Sequence, residues 1–155
     1  MTTLRITLDS GECRFDIDDQ TVVVPFGRVT LTSFITADPP LPEELTNAIG
    51  FVFDHLEDVD RDLPAVVAME HVTIAGEGID VLAAVEVGAE VSLPYALSHE
   101  AAEDLFRTLA TESIADRRLN PGLPAHWVQP ILGVCAAVAA IVRYYRLDLV
   151  EMVAT

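Results

Sequence analysis

The chain has 155 residues, of which 51% are apolar, 25 are acidic and nine are basic, and its formal net charge is −16 at pH 7. This length and apolar content can form a core without disulfides or a metal, so we expect one domain over residues 1–155. The negative charge repels nucleic acid and anionic membranes, and the longest apolar run, residues 131–142, is too short to span a bilayer. We therefore expect a cytoplasmic protein without a signal peptide and with no nucleic-acid or membrane partner.

Three short strands are predicted at the N-terminus. Apolar and polar residues alternate around residues 4–8 and 13–17, and a run of valines follows at 22–24. Tight turns at 9–12 and 18–19 join these segments, which favours an antiparallel meander. Because each strand has one apolar face, we expect helices to cover one side of the sheet.

A helix is predicted to begin at Pro42. Proline suits the first turn of a helix, Glu43 and Glu44 suit its positive end, and apolar residues follow at helical spacing. The acidic stretch 57–62 predicts a surface loop. The apolar segment 65–74 then predicts a central strand.

The second half of the chain predicts further helices and a last strand. In chain order these are a helix over 79–87, a helix capped by Ser98, a helix over 127–145 and a strand over 147–153. Three strands, a helix, a strand, helices and a strand form the ribonuclease-H-like order, which also occurs in each half of actin-like ATPases. We therefore expect an α/β fold, a single ribonuclease-H-like (actin-like ATPase) domain with a mixed sheet of about five strands and helices packed on it.

The two cysteines, Cys13 and Cys135, lie in separate apolar runs. Their spacing fits no metal-binding motif. We expect both to be reduced thiols buried in the core.

The turn between the first two strands reads Asp9-Ser10-Gly11-Glu12. Phosphate-binding loops contain several glycines, which let backbone N–H groups approach the anion, and this turn has only one. Its carboxylates, together with Glu77, could instead form a site for Mg²⁺, or they could be solvated turn residues.

Four segments, residues 24–32, 38–40, 42–45 and 116–123, resemble the exopolyphosphatase and guanosine pentaphosphate phosphohydrolase family. The resemblance covers most of this chain, but it matches only the second of the two actin-like halves of that family. It implies an actin-like fold. The first half, which carries the catalytic glutamate of the family, has no counterpart in this sequence.

The phosphate-binding motifs of the family are degenerate in this chain. The family loop Asp-Ile-Gly-Gly-Gly-Ser corresponds to residues 8–12. By this resemblance, Asp9 matches the aspartate that helps position a divalent cation or water. Ser10 and Gly11 are then the remaining candidate phosphate contacts in the loop.

Two later motifs also differ. The family's Ala-Gly-Thr turn leaves Gly76 as a candidate phosphate contact, but the threonine is replaced by Glu77. The family's Arg-Ala-Asp motif falls on residues 127–129, which read Trp-Val-Gln and have lost both charges. A carboxylate therefore stands where a hydroxyl could reach a phosphate, and this disfavours a phosphate-containing ligand.

These observations predict a non-catalytic exopolyphosphatase-like domain with a binding or structural role. We expect no cofactor and no catalytic residue, and we expect a homodimer or a protein partner. Trp127, Tyr144 and Tyr145 either form a partner surface or belong to the core. The alternative is a phosphohydrolase acting on polyphosphate or guanosine penta- or tetraphosphate. In it Asp9 would bind Mg²⁺ and be catalytic, and a partner subunit or second copy would supply the other half.

Overall fold

Six strands and six α-helices make up the structure, a computed structural model that describes residues 2–155. The strands are β1 (Thr3–Leu8), β2 (Cys13–Ile17), β3 (Gln20–Val24), β4 (His71–Gly76), β5 (Tyr95–Ser98) and β6 (Leu149–Met152). The helices are α1 (Arg28–Thr32), α2 (Pro42–Asp62), α3 (Ile79–Val87), α4 (His99–Thr111), α5 (Ile114–Arg117) and α6 (Ile131–Tyr144). Short 3-10 turns, Pro64–Ala68 and Ala125–Trp127, precede β4 and α6.

One mixed sheet contains the six strands in the order β3-β2-β1-β4-β6-β5. Strands β1, β2 and β3 form an antiparallel meander, β4 pairs parallel to β1, and β6 pairs parallel to β4. This confirms the predicted ribonuclease-H-like order. The sheet also has a sixth strand, β5, which pairs antiparallel to β6 at the edge. Its four residues are too few to show the alternation by which a strand is recognised in a sequence.

The core lies against one face of the meander. Leu4, Ile6 and Leu8 of β1 are at most 1% exposed, whereas Arg5 between them is exposed. Helix α6 contacts α1, α2, α3 and α4, and each residue from 131 to 142 is buried. An apolar helix surrounded by other helices explains why this segment is hydrophobic on nearly all sides.

The predicted surface loop over residues 57–62 is wrong, because α2 continues through it. Val59 is fully buried, and the carboxylate of Asp60 accepts hydrogen bonds from the hydroxyls of Tyr144 at 2.7 Å and Tyr145 at 3.0 Å. Glu57 and Asp62 are exposed and Asp58 is partly buried, and this run of acidic residues hides the apolar stripe of the helix in the sequence. The two tyrosines therefore connect α2 to α6.

Prolines account for two further differences. The strand predicted over residues 65–74 begins only at residue 71, because Pro64 opens a 3-10 turn in which Val67 is 91% exposed. The helix predicted over residues 127–145 begins only at residue 131. Pro130 prevents an earlier start, because its ring would clash with the carbonyl four residues before it.

Cys13 and Cys135 are buried free thiols, as the sequence predicts. Burial raises the pKa of Cys135 to about 12 and raises the pKa of Cys13 further. Since the thiolate is the reactive form, we expect neither thiol of the native protein to react with Ellman's reagent at neutral pH. Both should react in concentrated guanidinium chloride. Rapid reaction of the native protein would contradict this burial.

Glu44 closes a hydrogen-bonded box at the start of α2. Its carboxylate accepts from the backbone N–H of Thr36 at 2.7 Å, from the Thr36 hydroxyl at 2.8 Å and from the N–H of Leu41 at 2.9 Å. The backbone bonds to Leu41 and Thr36 lower the pKa of Glu44 to about 2. Because the folded pKa is depressed, its contribution to stability is present above about pH 4.5 and is lost as the pH falls towards 2.

Glu44→Gln should therefore lower stability at neutral pH and flatten its dependence on pH in that acidic range. Urea unfolding at several pH values measures this effect. Glu43→Gln, on the same turn, is the matched control. Its stability should depend on pH as that of the parent does. An unchanged profile for Glu44→Gln would show that the box does not stabilise the fold.

Candidate functional site

The carboxyl ends of β1 and β4 meet at one edge of the sheet. The parallel register pairs Leu8 with Gly76, so the turn at residues 9–12 and the turn at residues 76–78 lie side by side. Ligands of α/β proteins bind beyond the carboxyl ends of parallel strands, where two neighbouring loops can contact them together. The structure thus brings the sequence-predicted residues of both turns to one place.

The glycines of the second turn are required by close packing. Gly76 has φ +135°, and a Cβ atom there would lie 2.1 Å from the carbonyl oxygen of Leu8. Gly78 has φ +97°, and a Cβ atom there would lie 2.8 Å from the ring of Trp127. Both positions therefore need glycine for backbone and packing reasons, whether or not Gly76 contacts a phosphate.

The first turn rests on the start of α1. The backbone N–H of Arg28 donates to the carbonyl oxygen of Asp9 at 2.9 Å, and the N–H of Val29 donates to that of Ser10 at 3.0 Å. Gly27 permits this approach, because a Cβ atom there would lie 2.3 Å from the oxygen of Ser10. These two N–H groups are consequently occupied by carbonyl oxygens, whereas a phosphate loop leaves such donors free for the anion.

Arg28 lies between the two turns. Its side chain is only 16% exposed, and its guanidinium carbon lies 5.3 Å from the ring centre of Trp127. The Nη2 atom is 3.2 Å from Oε1 of Glu77, whose side chain is 71% exposed. The cation at the meeting point of the loops is thus stacked on an aromatic ring and paired with a carboxylate of the same chain.

Sequence reasoning missed the role of Arg28. The residue lies inside segment 24–32, which carries the family resemblance, but nothing local distinguishes it from a structural spacer. Its partners, Glu77 and Trp127, are far away in sequence. The family resemblance offered a signal, because it places Trp127 where the family's Arg-Ala-Asp motif has its arginine.

The residues that the structure describes include no cluster of three potential metal ligands. Within residues 2–155, no group of three or more histidine, cysteine, aspartate or glutamate side chains is placed to hold an ion. Asp9 and Glu12 are exposed on the first turn, while Glu77 contacts Arg28. A role for Asp9 in binding Mg²⁺ remains a prediction. Over the same residues, no helix is both long and apolar enough to cross a membrane.

The pair Arg117-Arg118 does not form an exposed basic patch. Arg117 is 1% exposed, and its guanidinium donates to the carbonyl oxygens of Leu109, Glu112 and Val128. A fourth hydrogen bond, 3.1 Å long, goes to the side-chain oxygen of Gln129. Residues 127–129 therefore pack around a buried arginine, and Trp127 is only 8% exposed.

Comparisons of sequence give no match to a family model and no match among curated proteins. Comparisons of structure give matches among solved proteins. The type II variant of the Aquifex aeolicus Ppx/GppA phosphatase superposes with a TM-score of 0.84 at 18% identity, over 99% of this chain and 53% of that one. An exopolyphosphatase-like protein superposes with a TM-score of 0.86 at 16% identity, over 100% of this chain and 54% of that one. An exopolyphosphatase from Cytophaga hutchinsonii superposes with a TM-score of 0.74 at 13% identity, over 99% of this chain and 53% of that one.

These likenesses show the fold. They confirm the predicted resemblance to exopolyphosphatases and the actin-like fold class. The chain spans about half the length of the solved structures it matches, as expected for a resemblance to one of two halves.

Proposed function

We propose that this chain is a non-catalytic exopolyphosphatase-like domain that acts by binding a protein partner or a second copy of itself. The observation that carries the proposal is the Arg28–Glu77 ion pair at the meeting point of the two turns. The cation that could attract a phosphate is already paired. The first two N–H groups of α1 are engaged by the carbonyl oxygens of Asp9 and Ser10.

Electrostatics opposes a phosphate at this edge of the sheet. An anion beside the turns would approach the carboxylates of Asp9, Glu12 and Glu77 and would have to compete with Glu77 for Arg28. Two like charges 4 Å apart repel by about 1 kcal/mol in water and by about 4 kcal/mol at an effective dielectric constant of 20. The N–H of Asp9 is engaged by the carbonyl oxygen of Glu12 at 2.9 Å, and the first two N–H groups of α1 are engaged as well, so fewer backbone donors are available to offset that repulsion.

Phosphate release measured with malachite green tests the catalytic side of the proposal. With polyphosphate or guanosine pentaphosphate as substrate, we expect no release above the buffer background, with or without Mg²⁺. Release that needs Mg²⁺ and is lost in Asp9→Asn would overturn the proposal. It would establish the alternative phosphohydrolase, in which Asp9 holds the metal and contributes to catalysis.

Glu77→Gln tests whether Glu77 keeps anions away from Arg28. Removing the paired charge leaves the guanidinium free to bind an anion, so phosphate or sulfate should raise the thermal midpoint of this variant but not that of the parent. Glu12→Gln is the matched control, because it removes the same charge from an exposed turn that has no ion pair with Arg28. Equal anion responses of both variants would show a general charge effect only.

The binding role is tested by the oligomeric state. Val29, next to the first turn, is 53% exposed and places an apolar side chain at the rim of the site. For a homodimer that uses this face, light scattering after gel filtration should give twice the chain mass at micromolar concentration, and Val29→Glu should give the monomer. A stable monomer of the parent would exclude the homodimer and leave only a different protein as partner.

A further inference from the structure

A second surface feature lies on the helical side of the molecule, away from the two turns. A cavity of about 280 Å³ opens between α2 and α4 above the last turns of α6. Its α2 wall carries Leu45, Ile49 and Phe53, one helical turn apart, and Phe106 of α4 faces them. Except for Ile49, these apolar side chains are only partly buried.

Arg143 lies in the cavity, but its charge is already neutralised. Its Nε and Nη2 atoms donate to the two carboxylate oxygens of Glu103 at 2.7 Å and 2.9 Å, and its guanidinium stacks over the ring of Phe106 at 5.1 Å. A bidentate pair of this geometry leaves the arginine little capacity to attract an anionic ligand. The chemistry of the cavity is therefore that of an apolar groove.

Gly50 is an unusual residue for its place in the groove. It lies in the middle of α2, where glycine destabilises a helix relative to alanine. Packing does not require it, because a Cβ atom at this position would meet nothing within 4 Å. A missing side chain beside an apolar floor allows another backbone to approach the helix closely.

The α2 wall is flanked by negative charge. Glu43 and Glu57 lie seven residues before and after Gly50, on the same side of the helix, and both are exposed. Asp54, one helical turn after Gly50, is also exposed. An apolar stripe at helical spacing with an acidic border complements a helix that is apolar on one face and basic along its flanks.

We propose that the groove formed by Leu45, Ile49, Gly50, Phe53 and Phe106 binds a basic amphipathic helix of a partner protein. The partner helix lies along α2, with its apolar residues on the floor and its backbone close to Gly50. The basic residues on the α2 side of the partner helix face Glu43, Asp54 and Glu57. This site is independent of the proposal for the two turns.

A fluorescein-labelled synthetic helix tests the proposal by fluorescence anisotropy. The probe carries leucine on one face and arginine on both flanks, and its counterpart carries glutamate in place of arginine. In buffer of physiological ionic strength, the basic peptide should bind the parent protein and the acidic peptide should not. Gly50→Leu fills the groove and should weaken binding of the basic peptide at least about tenfold.

Matched variants make the test specific. Asn47→Leu places the same side chain on the same helix but outside the groove, and it should leave the affinity unchanged. Thermal unfolding of both variants checks that each remains folded. The proposal is overturned if Gly50→Leu binds the basic peptide as the parent does, if Asn47→Leu weakens binding equally, or if the acidic peptide binds as well as the basic one. A dimer of the parent that Gly50→Leu dissociates would assign the groove to a second copy and would also overturn the proposal.

Discussion

Arg117→Met is expected to lower the free energy of unfolding by about 4 kcal/mol. The guanidinium of Arg117 is 1% exposed and makes four hydrogen bonds of 2.7 to 3.1 Å. Methionine has a similar length but no donor. It would leave the carbonyl oxygens of Leu109, Glu112 and Val128 buried without these hydrogen bonds, and each such loss costs about 1–3 kcal/mol.

The charge of Arg117 is balanced by dipoles. In the part of the chain that the structure describes, no carboxylate forms a salt bridge with it. The carbonyl groups of Leu109 and Glu112 lie at the negative end of α4, which favours a cation. Burial outweighs these interactions and lowers the pKa of Arg117. The arginine stays protonated at neutral pH, because the ordinary pKa of its guanidinium is so high.

Urea denaturation measures the Arg117 effect. Arg118→Met is the matched control, because it removes the same side chain from the next position, which is exposed, and we expect a change within about 0.5 kcal/mol. Arg117→Lys should fall between the two, since an ammonium group cannot reproduce the planar array of donors. A loss below about 1 kcal/mol for Arg117→Met would show that the hydrogen bonds do not hold this region together.

Gly133→Ala is expected to destabilise the protein by about 3 kcal/mol, because α1 and α6 touch at this glycine. A Cβ atom at Gly133 would lie 1.9 Å from the carbonyl oxygen of Arg28 and 2.4 Å from Oγ1 of Thr32. The backbone N–H of Gly133 also donates to that Oγ1 atom at 3.0 Å. Alanine would therefore force α1 away from α6 and break this hydrogen bond.

The displacement should reach the candidate site, because Arg28 belongs to α1. Moving α1 would separate the guanidinium from the ring of Trp127 and from Glu77, so the emission of the single tryptophan should change in Gly133→Ala. Gly50→Ala is the control with the same substitution in another helix. The added methyl group at residue 50 meets open space, so this variant should be more stable than the parent by about 0.5–1 kcal/mol. If both variants were more stable than the parent, or both less stable, the result would contradict the close contact at Gly133.

The four segments that suggested an exopolyphosphatase-like chain include residues that this structure shows to be structural. Segment 116–123 contains the buried Arg117, and segment 42–45 contains the Glu44 box. Such features preserve a fold without any ligand. The assignments of Ser10, Gly11 and Gly76 as phosphate contacts and of Asp9 as a metal ligand remain predictions. The proposal of a non-catalytic role rests on the Arg28–Glu77 pair.

Elements with local signals could be predicted from the sequence alone. Alternation over two residues predicted the meander, and Ser98 marked the start of α4, where its hydroxyl accepts from the N–H of Ala101 at 3.0 Å. Local signals failed where acidic residues hid the stripe around Val59 and where Pro64 and Pro130 delayed β4 and α6.

Which polar residues meet depends on how the whole chain folds. Arg28, Glu77 and Trp127 come from three separate segments, and they form one cluster because parallel pairing brings the ends of β1 and β4 together. Arg117 and Arg118 are identical neighbours in sequence, yet one is buried and the other exposed. Periodicity reports which side of an element faces the core. Ion pairs and close backbone approaches depend on contacts between distant residues, and no local pattern in one sequence encodes these contacts.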